Sequence, residues 1–321
     1  MRTIITGCAG FIGFHSTLQL LAEGHRIVGI DNLNNYYNQN LKIERLKILL
    51  DNDNFSFEKL DLSNKEAVEK VFAAKKPNLV LHLAAQAGVR FSIEDPYTYI
   101  DSNILGTATI LEGCRHNSVE HLIYASSSSV YGANTKQPFS PDDRTDSPVS
   151  LYAATKKSTE LLCESYSRMY KIRATGLRFF TVYGPWGRPD MAYFKFAKAI
   201  LSGTPIDVYN WGKMRRDLTY IDDIVDGISA LSNSRTQTAR HNIYNLGNNH
   251  PIELNRMIEV LEEKLGCKAE KKFLPMQLGD VEATYADITS AKRDFGFSPK
   301  VSLEEGLDRF CNWFISHQAF A

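Results

Sequence analysis

The segment Gly7-Cys8-Ala9-Gly10-Phe11-Ile12-Gly13 lies between a β-branched run at 3–6 and a helical pattern at 11–23. Glycines at this spacing permit a tight strand-to-helix turn. They also let backbone N–H groups approach a pyrophosphate at the helix N-terminus. A second strand at 26–30 ends at Asp31, where a carboxylate can bind both ribose hydroxyls and repel a 2′-phosphate, which favours NAD over NADP. Asp61, after a third strand, can face the adenine edge or stand solvated in a loop. Further strands are predicted at 55–59, 79–82, 121–124 and 174–180, with helices at 65–74, 99–116 and 152–170. This alternation implies right-handed crossovers and an α/β, Rossmann-type doubly wound parallel sheet. A smaller, mostly C-terminal lobe follows Gly184-Pro185, with helices at 253–265 and 303–316. Strands near 217–220 and 242–246 are expected to return to the main sheet. The division is then 1–182 with 213–247 for the dinucleotide, against 183–212 and 248–321 for the substrate.

Composition narrows the function classes. The 321 residues carry 37 Lys+Arg against 37 Asp+Glu, so no charge excess points to nucleic acid or an anionic membrane. The 43% apolar content supports a packed core. The five cysteines are odd in number and lack CxxC spacing, which argues against disulfides or zinc and for a reducing cytoplasm. The apolar stretch at 4–21 is broken by glycines, His15 and Gln19, so it reads neither as a signal peptide nor as a membrane span. No metal is expected: His82 reads as a packed core residue, and His116 and His121 lack a third ligand.

Two further motifs carry chemistry. In Tyr152-Ala153-Ala154-Thr155-Lys156, a helix places phenol and ammonium on one face. A free tyrosine has a pKa of about 10, so positive charge nearby must lower it before it serves as a base at neutral pH. In Ser126-Ser127-Ser128-Ser129, hydroxyls follow a strand at the edge where parallel sheets bind ligands. The run lacks the G-x-S-x-G elbow of a hydrolase nucleophile.

Glycine turn, strand-end serines and Tyr-x-x-x-Lys, in this order, resemble the extended short-chain dehydrogenase/reductase family. Leu83-Ala84-Ala85, Asn103 and the segment from Leu177 to Pro185 fit its nucleotide-sugar branch. Ala87-Gly88-Val89-Arg90-Phe91, Gly184-Pro185-Trp186-Gly187-Arg188-Pro189-Asp190-Met191 and Lys213-Met214-Arg215-Arg216-Asp217 resemble UDP-glucuronate 4-epimerases, as does Pro275-Met276-Gln277-Leu278-Gly279-Asp280-Val281. The resemblance implies a catalytic trio of Ser127, Tyr152 and Lys156. It implies that NAD is held by Gly7, Gly10, Phe11, Ile12, Gly13, Asp31, Asn32, Asp61, Leu62, Leu83, Ala84, Ala85, Asn103, Tyr152, Lys156 and Phe179. A UDP-sugar would be held by Arg90, Ser127, Ser128, Ser129, Thr181, Arg188, Arg216, Gln277 and Asp280. One departure is Trp211, where the resemblance has a small polar residue or His. The family also implies a homodimer through the helices at 99–116 and 152–170.

The implied reaction inverts C4 of UDP-glucuronate through a transient 4-keto sugar, with NAD restored each cycle. Related 4,6-dehydratases place Asp-Glu where this chain has Ser128-Ser129, and decarboxylases place Glu at 129; hydroxyls are poor substitutes for those acid and base groups. Arg188 carries the preference for a uronate, because guanidinium can fork onto a carboxylate. The alternatives are a UDP-glucose or UDP-N-acetylglucosamine 4-epimerase, with Arg188 on the diphosphate, and a non-catalytic NAD-binding redox sensor.

Overall fold

A computed structural model describes residues 1–234, 240–276 and 282–317. The first half alternates as the pattern predicts: β1 (Arg2–Thr6), α1 (Phe11–Ala22), β2 (Arg26–Asp31), α2 (Gln39–Leu50), β3 (Phe55–Lys59), α3 (Lys65–Lys75) and β4 (Leu79–His82). Two single turns, α4 (Phe91–Glu94) and α5 (Pro96–Tyr99), lead through a π-helical segment, Ile100–Leu105, into α6 (Gly106–His116). Then come β5 (His121–Ser127), α7 (Leu151–Tyr170), β6 (Ala174–Phe179), β7 (Thr181–Tyr183), α8 (Ala192–Ser202), β8 (Ile206–Tyr209), β9 (Arg215–Tyr220) and α9 (Ile221–Asn233). The chain continues with β10 (His241–Leu246), β11 (Pro251–Glu253), α10 (Leu254–Leu265), β12 (Lys271–Leu274), α11 (Thr289–Phe295) and α12 (Leu303–Ser316).

Seven strands form one all-parallel sheet in the order β10-β6-β5-β4-β1-β2-β3. Every residue of β4 and of β6 is buried, as strands covered on both faces require. Side chains alternate across the sheet, so Ile4 and Ile5 enter separate apolar cores on its two sides. Helix starts are set locally: Asn64, Ser150 and Ser302 accept the amides of Ala67, Ala153 and Glu305. The strand order reverses between β1 and β4, and that reversal opens a crevice at their carboxyl ends.

Three expectations change. β10 joins the main sheet beside β6, but β9 does not; it pairs with β7 and β11 in a separate three-stranded sheet. The buried Asp217 carboxylate explains this anchoring, because it accepts the amides of Asn248, Asn249 and Ala286, all outside the main sheet. The helix predicted at 99–116 is interrupted at Ile100–Leu105. There the Asn103 carbonyl accepts from the Thr107 and Thr159 hydroxyls. Finally, β5 runs on to Ser127, so the first two serines of the run belong to the strand and a 3-10 turn, Ser128–Tyr131, carries the others.

Candidate active site

One cavity of about 1000 Å³ runs along the carboxyl ends of the parallel strands. At one end is the glycine turn. Gly7 has φ +72°, and a Cβ there would sit 2.7 Å from the Ala84 nitrogen; one on Gly13 would sit 2.0 Å from the Gly7 carbonyl oxygen. Only bare backbone fits at both positions. Gly10 precedes α1 without a side chain to cap its first turn, so Phe11, Ile12 and Gly13 present backbone to the cavity.

Asp31 lies beside this turn and accepts the amides of Leu33 at 2.8 Å and Ala9 at 3.2 Å. Burial pushes its carboxyl up, opposed by the Lys42 ammonium and these amides. Asn32 donates to Asp61 at 2.7 Å, and both line the cavity with Leu62, Leu83, Ala84 and Ala85.

At the other end, Tyr152 and Lys156 share a face of α7 opposite the end of β5. The Ser127 hydroxyl donates to the Ser129 hydroxyl and accepts the Ser129 amide, both at 3.2 Å. Lys156 Nζ donates to the Ala125 carbonyl at 2.9 Å, and burial draws its amine down to about 8. The tyrosine departs from expectation. Burial pushes the Tyr152 phenol up; the neighbouring Ser127 hydroxyl and the Arg188 charge oppose that rise without overcoming it. Within the chain the positive charge that acts on the phenol is therefore Arg188, on the loop after β7, and not Lys156 on α7.

Arg188 forks onto Asp190 through Nε, at 3.0 Å, and Nη2, and Tyr36 donates to the same carboxylate at 3.3 Å. The fork that the sequence suggests for a sugar carboxylate here engages Asp190. The pair holds the guanidinium well above its usual value and the Asp190 carboxyl below its own, each against burial. Behind the serines, Arg178 forks onto Glu160 at 2.8 and 3.0 Å, and Ser126 donates to Glu160 at 2.6 Å.

The remaining candidates sort clearly. Ser128, Thr181, Phe179, Arg90 and Arg216 line the cavity, and Arg215 does not, as alternation along β9 requires. Arg90 lies over the Tyr209 ring at 5.6 Å. Asn103 does not line the cavity: it is buried behind the wall, where its side chain accepts the Gln86 amide and donates to the Gln86 carbonyl and the Thr155 hydroxyl. Trp211 also stands off the cavity, half-exposed at φ +50°. Gln277 and Asp280 lie outside the described residues. His82 is a packed core residue bonded to Thr6 and Thr107, as expected. Sequence reasoning missed Asn34, Tyr36, Lys42, Gln86 and Asp190 in the lining. Only Asp190 had a signal, an acid two places after Arg188.

Comparison with known proteins agrees with this geometry. The pattern of the NAD dependent epimerase/dehydratase family matches residues 3–247. Protein CapI of Staphylococcus aureus is 49% identical, with 99% of each chain covered. A probable UDP-glucuronate 4-epimerase of Rhizobium meliloti is 46% identical over 98% of this chain and 97% of its own. The crystal structure of UDP-glucuronic acid 4-epimerase from Bacillus cereus, in complex with UDP-glucuronic acid and NAD, superposes with a TM-score of 0.93 at 35% identity, covering 98% of this chain and 99% of that one. On sequence and on fold alike, the chain belongs to the NAD dependent epimerase/dehydratase family.

Proposed function

We propose that this protein is an NAD-dependent UDP-glucuronate 4-epimerase. The observation that carries the reading is a single cavity joining the glycine turn, at one end, to Tyr152, Ser127 and Arg188 at the other. The bare backbone at Gly7 and Gly13 suits a dinucleotide, and Gly7, Gly10, Gly13, Asp31, Asp61, Leu83 and Lys156 would hold it. Bound NAD supplies a reversible hydride acceptor for C4 of the sugar.

The chain's own groups do the rest. Tyr152 takes the proton of the 4-hydroxyl and later returns it. Ser127, beside the phenol, hydrogen-bonds O4 and relays that proton. Arg188 lowers the cost of the phenolate, and its guanidinium and the Ser127, Ser128, Ser129 and Thr181 hydroxyls are donors for the sugar carboxylate. Neutral hydroxyls at 128 and 129 deny a 4-keto uronate, which is a β-keto acid, the acidic group that decarboxylases place at 129. Arg216 would face the diphosphate. In this reading 1–182, with the returning strand β10, would supply most of the dinucleotide contacts, and the UDP-sugar would lie between it and the remainder.

Five free thiols support a reducing cytoplasm, and among the described residues no helix is long and apolar enough to cross a membrane. A homodimer is supported by exposed apolar side chains on packed helical segments: Tyr97 and Ile100 near α5, and Leu161, Met169 and Tyr170 on α7. The test is incubation with UDP-glucuronate, UDP-glucose and UDP-N-acetylglucosamine, each followed by proton NMR at C4 and C5. C4 inversion of UDP-glucuronate is expected. Inversion of the neutral sugars alone, or no sugar-dependent change, would replace this reading with the neutral-sugar epimerase or the redox sensor.

A further inference from the structure

The loop that carries Arg188 is held by side chains from the dinucleotide-binding half. Three consecutive carbonyls, those of Pro185, Trp186 and Gly187, each accept a hydrogen bond from it. His15 on α1 donates through Nε2 to Pro185 at 2.9 Å. Arg45 on α2 donates through Nη2 to Trp186 at 2.5 Å and to Gly187 at 3.1 Å. Its Nη1 donates to Tyr37 Oη and to the Ala9 carbonyl within the glycine turn, both at 2.8 Å. Burial draws His15 down to about 4, so at neutral pH the ring is an uncharged donor.

The loop needs such a clamp. Trp186 has φ +57°, a left-handed conformation that is costly for a bulky residue and persists only where the surroundings hold it. Gly187 is fixed too, since a Cβ there would lie 1.9 Å from the Tyr193 hydroxyl. Arg45 is fully buried; its two Nη groups donate to four neutral oxygens, and its Nε finds no partner among the described residues. Burying a guanidinium is expensive unless its donors are satisfied. Geometric matching to several backbone carbonyls is what its planar fork provides and an ammonium cannot. The residue directly after the clamped peptide is Arg188, whose charge acts on the Tyr152 phenol.

We propose that Arg45 is a positioning residue: by fixing the Trp186–Gly187 peptides against the glycine turn, it sets where Arg188 stands relative to Tyr152. The proposal rests on the reading of the cavity as the epimerisation site. Arg45 touches no reacting atom and works through Arg188.

A double-mutant cycle tests it. Arg45→Met and Arg45→Lys are made in the wild-type and Arg188→Ala backgrounds, and turnover of UDP-glucuronate is followed by NMR with NAD content measured alongside. Misplacing a group away from the chemistry can cost up to about 100-fold. Arg45→Met is expected to lose on the order of 10- to 100-fold with Arg188 present and less than about twofold once Arg188 is Ala. Arg45→Lys is expected to fall between wild type and Met. Equal fold losses in both backgrounds would overturn the proposal, because general damage to the cavity or to the glycine turn multiplies independently. Should Met fail to fold, Lys carries the cycle; collapse of both variants would assign Arg45 to stability alone and overturn the role. Absence of wild-type turnover would overturn the functional reading instead, and the same cycle is then read as UDP-glucuronate affinity by calorimetry.

Discussion

At the residue scale, two charges of opposite sign bracket the Tyr152 phenol: Arg188 pulls its proton affinity down and Asp190 pushes it up. The acid limb of a pH–rate profile reports the base that must be ionised. Asp190→Asn removes the opposing charge, so the limb of kcat/KM should move to lower pH. Arg188→Met should move it to higher pH, and Tyr152→Phe should abolish it while lowering turnover by at least about 100-fold. Parallel profiles across the series would show that another group titrates. The same scale shows what a sequence can carry. Helix spacing put Tyr152 and Lys156 on one face and a strand end placed the serine run, while the family resemblance singled out Ser127, Tyr152 and Lys156 as a trio. The commitment of Arg188 to Asp190 was not legible, because pairing across a turn is a matter of loop geometry. Lys42 and Arg45 were invisible: on a polar helix, nothing in spacing separates a buried cation from a solvated one.

At the element scale, the parallel strands announced themselves through β-branched runs, whereas β7, β8, β11 and β12 are three or four residues long and carry no period. Misplacing β9 had a different origin. Its sequence reads as a strand, but the partner is chosen by Asp217 and the amides that carboxylate collects. A second buried acid joins α10 to β12. Glu262 accepts from Lys268 at 2.9 Å, Lys271 at 2.8 Å and the Ala269 amide at 3.1 Å. Burial pushes its carboxyl up, but those donors outweigh it and bring it down to about 2. A carboxyl held below its unfolded value stabilises above that value and loses the contribution as pH falls through the folded one. Glu262→Gln should therefore cost on the order of 1–3 kcal/mol at pH 7, with the gap to wild type closing between about pH 4.5 and 2. Urea midpoints for both proteins across that range check it; a gap that ignores pH would refute the pairing.

At the scale of the whole molecule, the proposed dimer has a compact test. Leu161 is 59% exposed on α7 and remote from the cavity lining. Leu161→Glu would place a charge in an apolar interface, and sedimentation should shift from two chains to one with NAD content unchanged. An unaltered boundary would remove α7 from the contact. The return of β10 to the sheet has a consequence for synthesis. Phe179 of β6 pairs with Leu246, so the partner of that strand is made some 67 residues later. At about 5–20 residues per second, the β6 edge waits roughly 3–13 s for its neighbour. Through that interval a strand that will be wholly buried presents unpaired amides and carbonyls, a template for any other nascent edge. The step at which this chain is most exposed to misassembly, and most in need of a chaperone, is the wait between the ribosome's delivery of Phe179 and of Leu246.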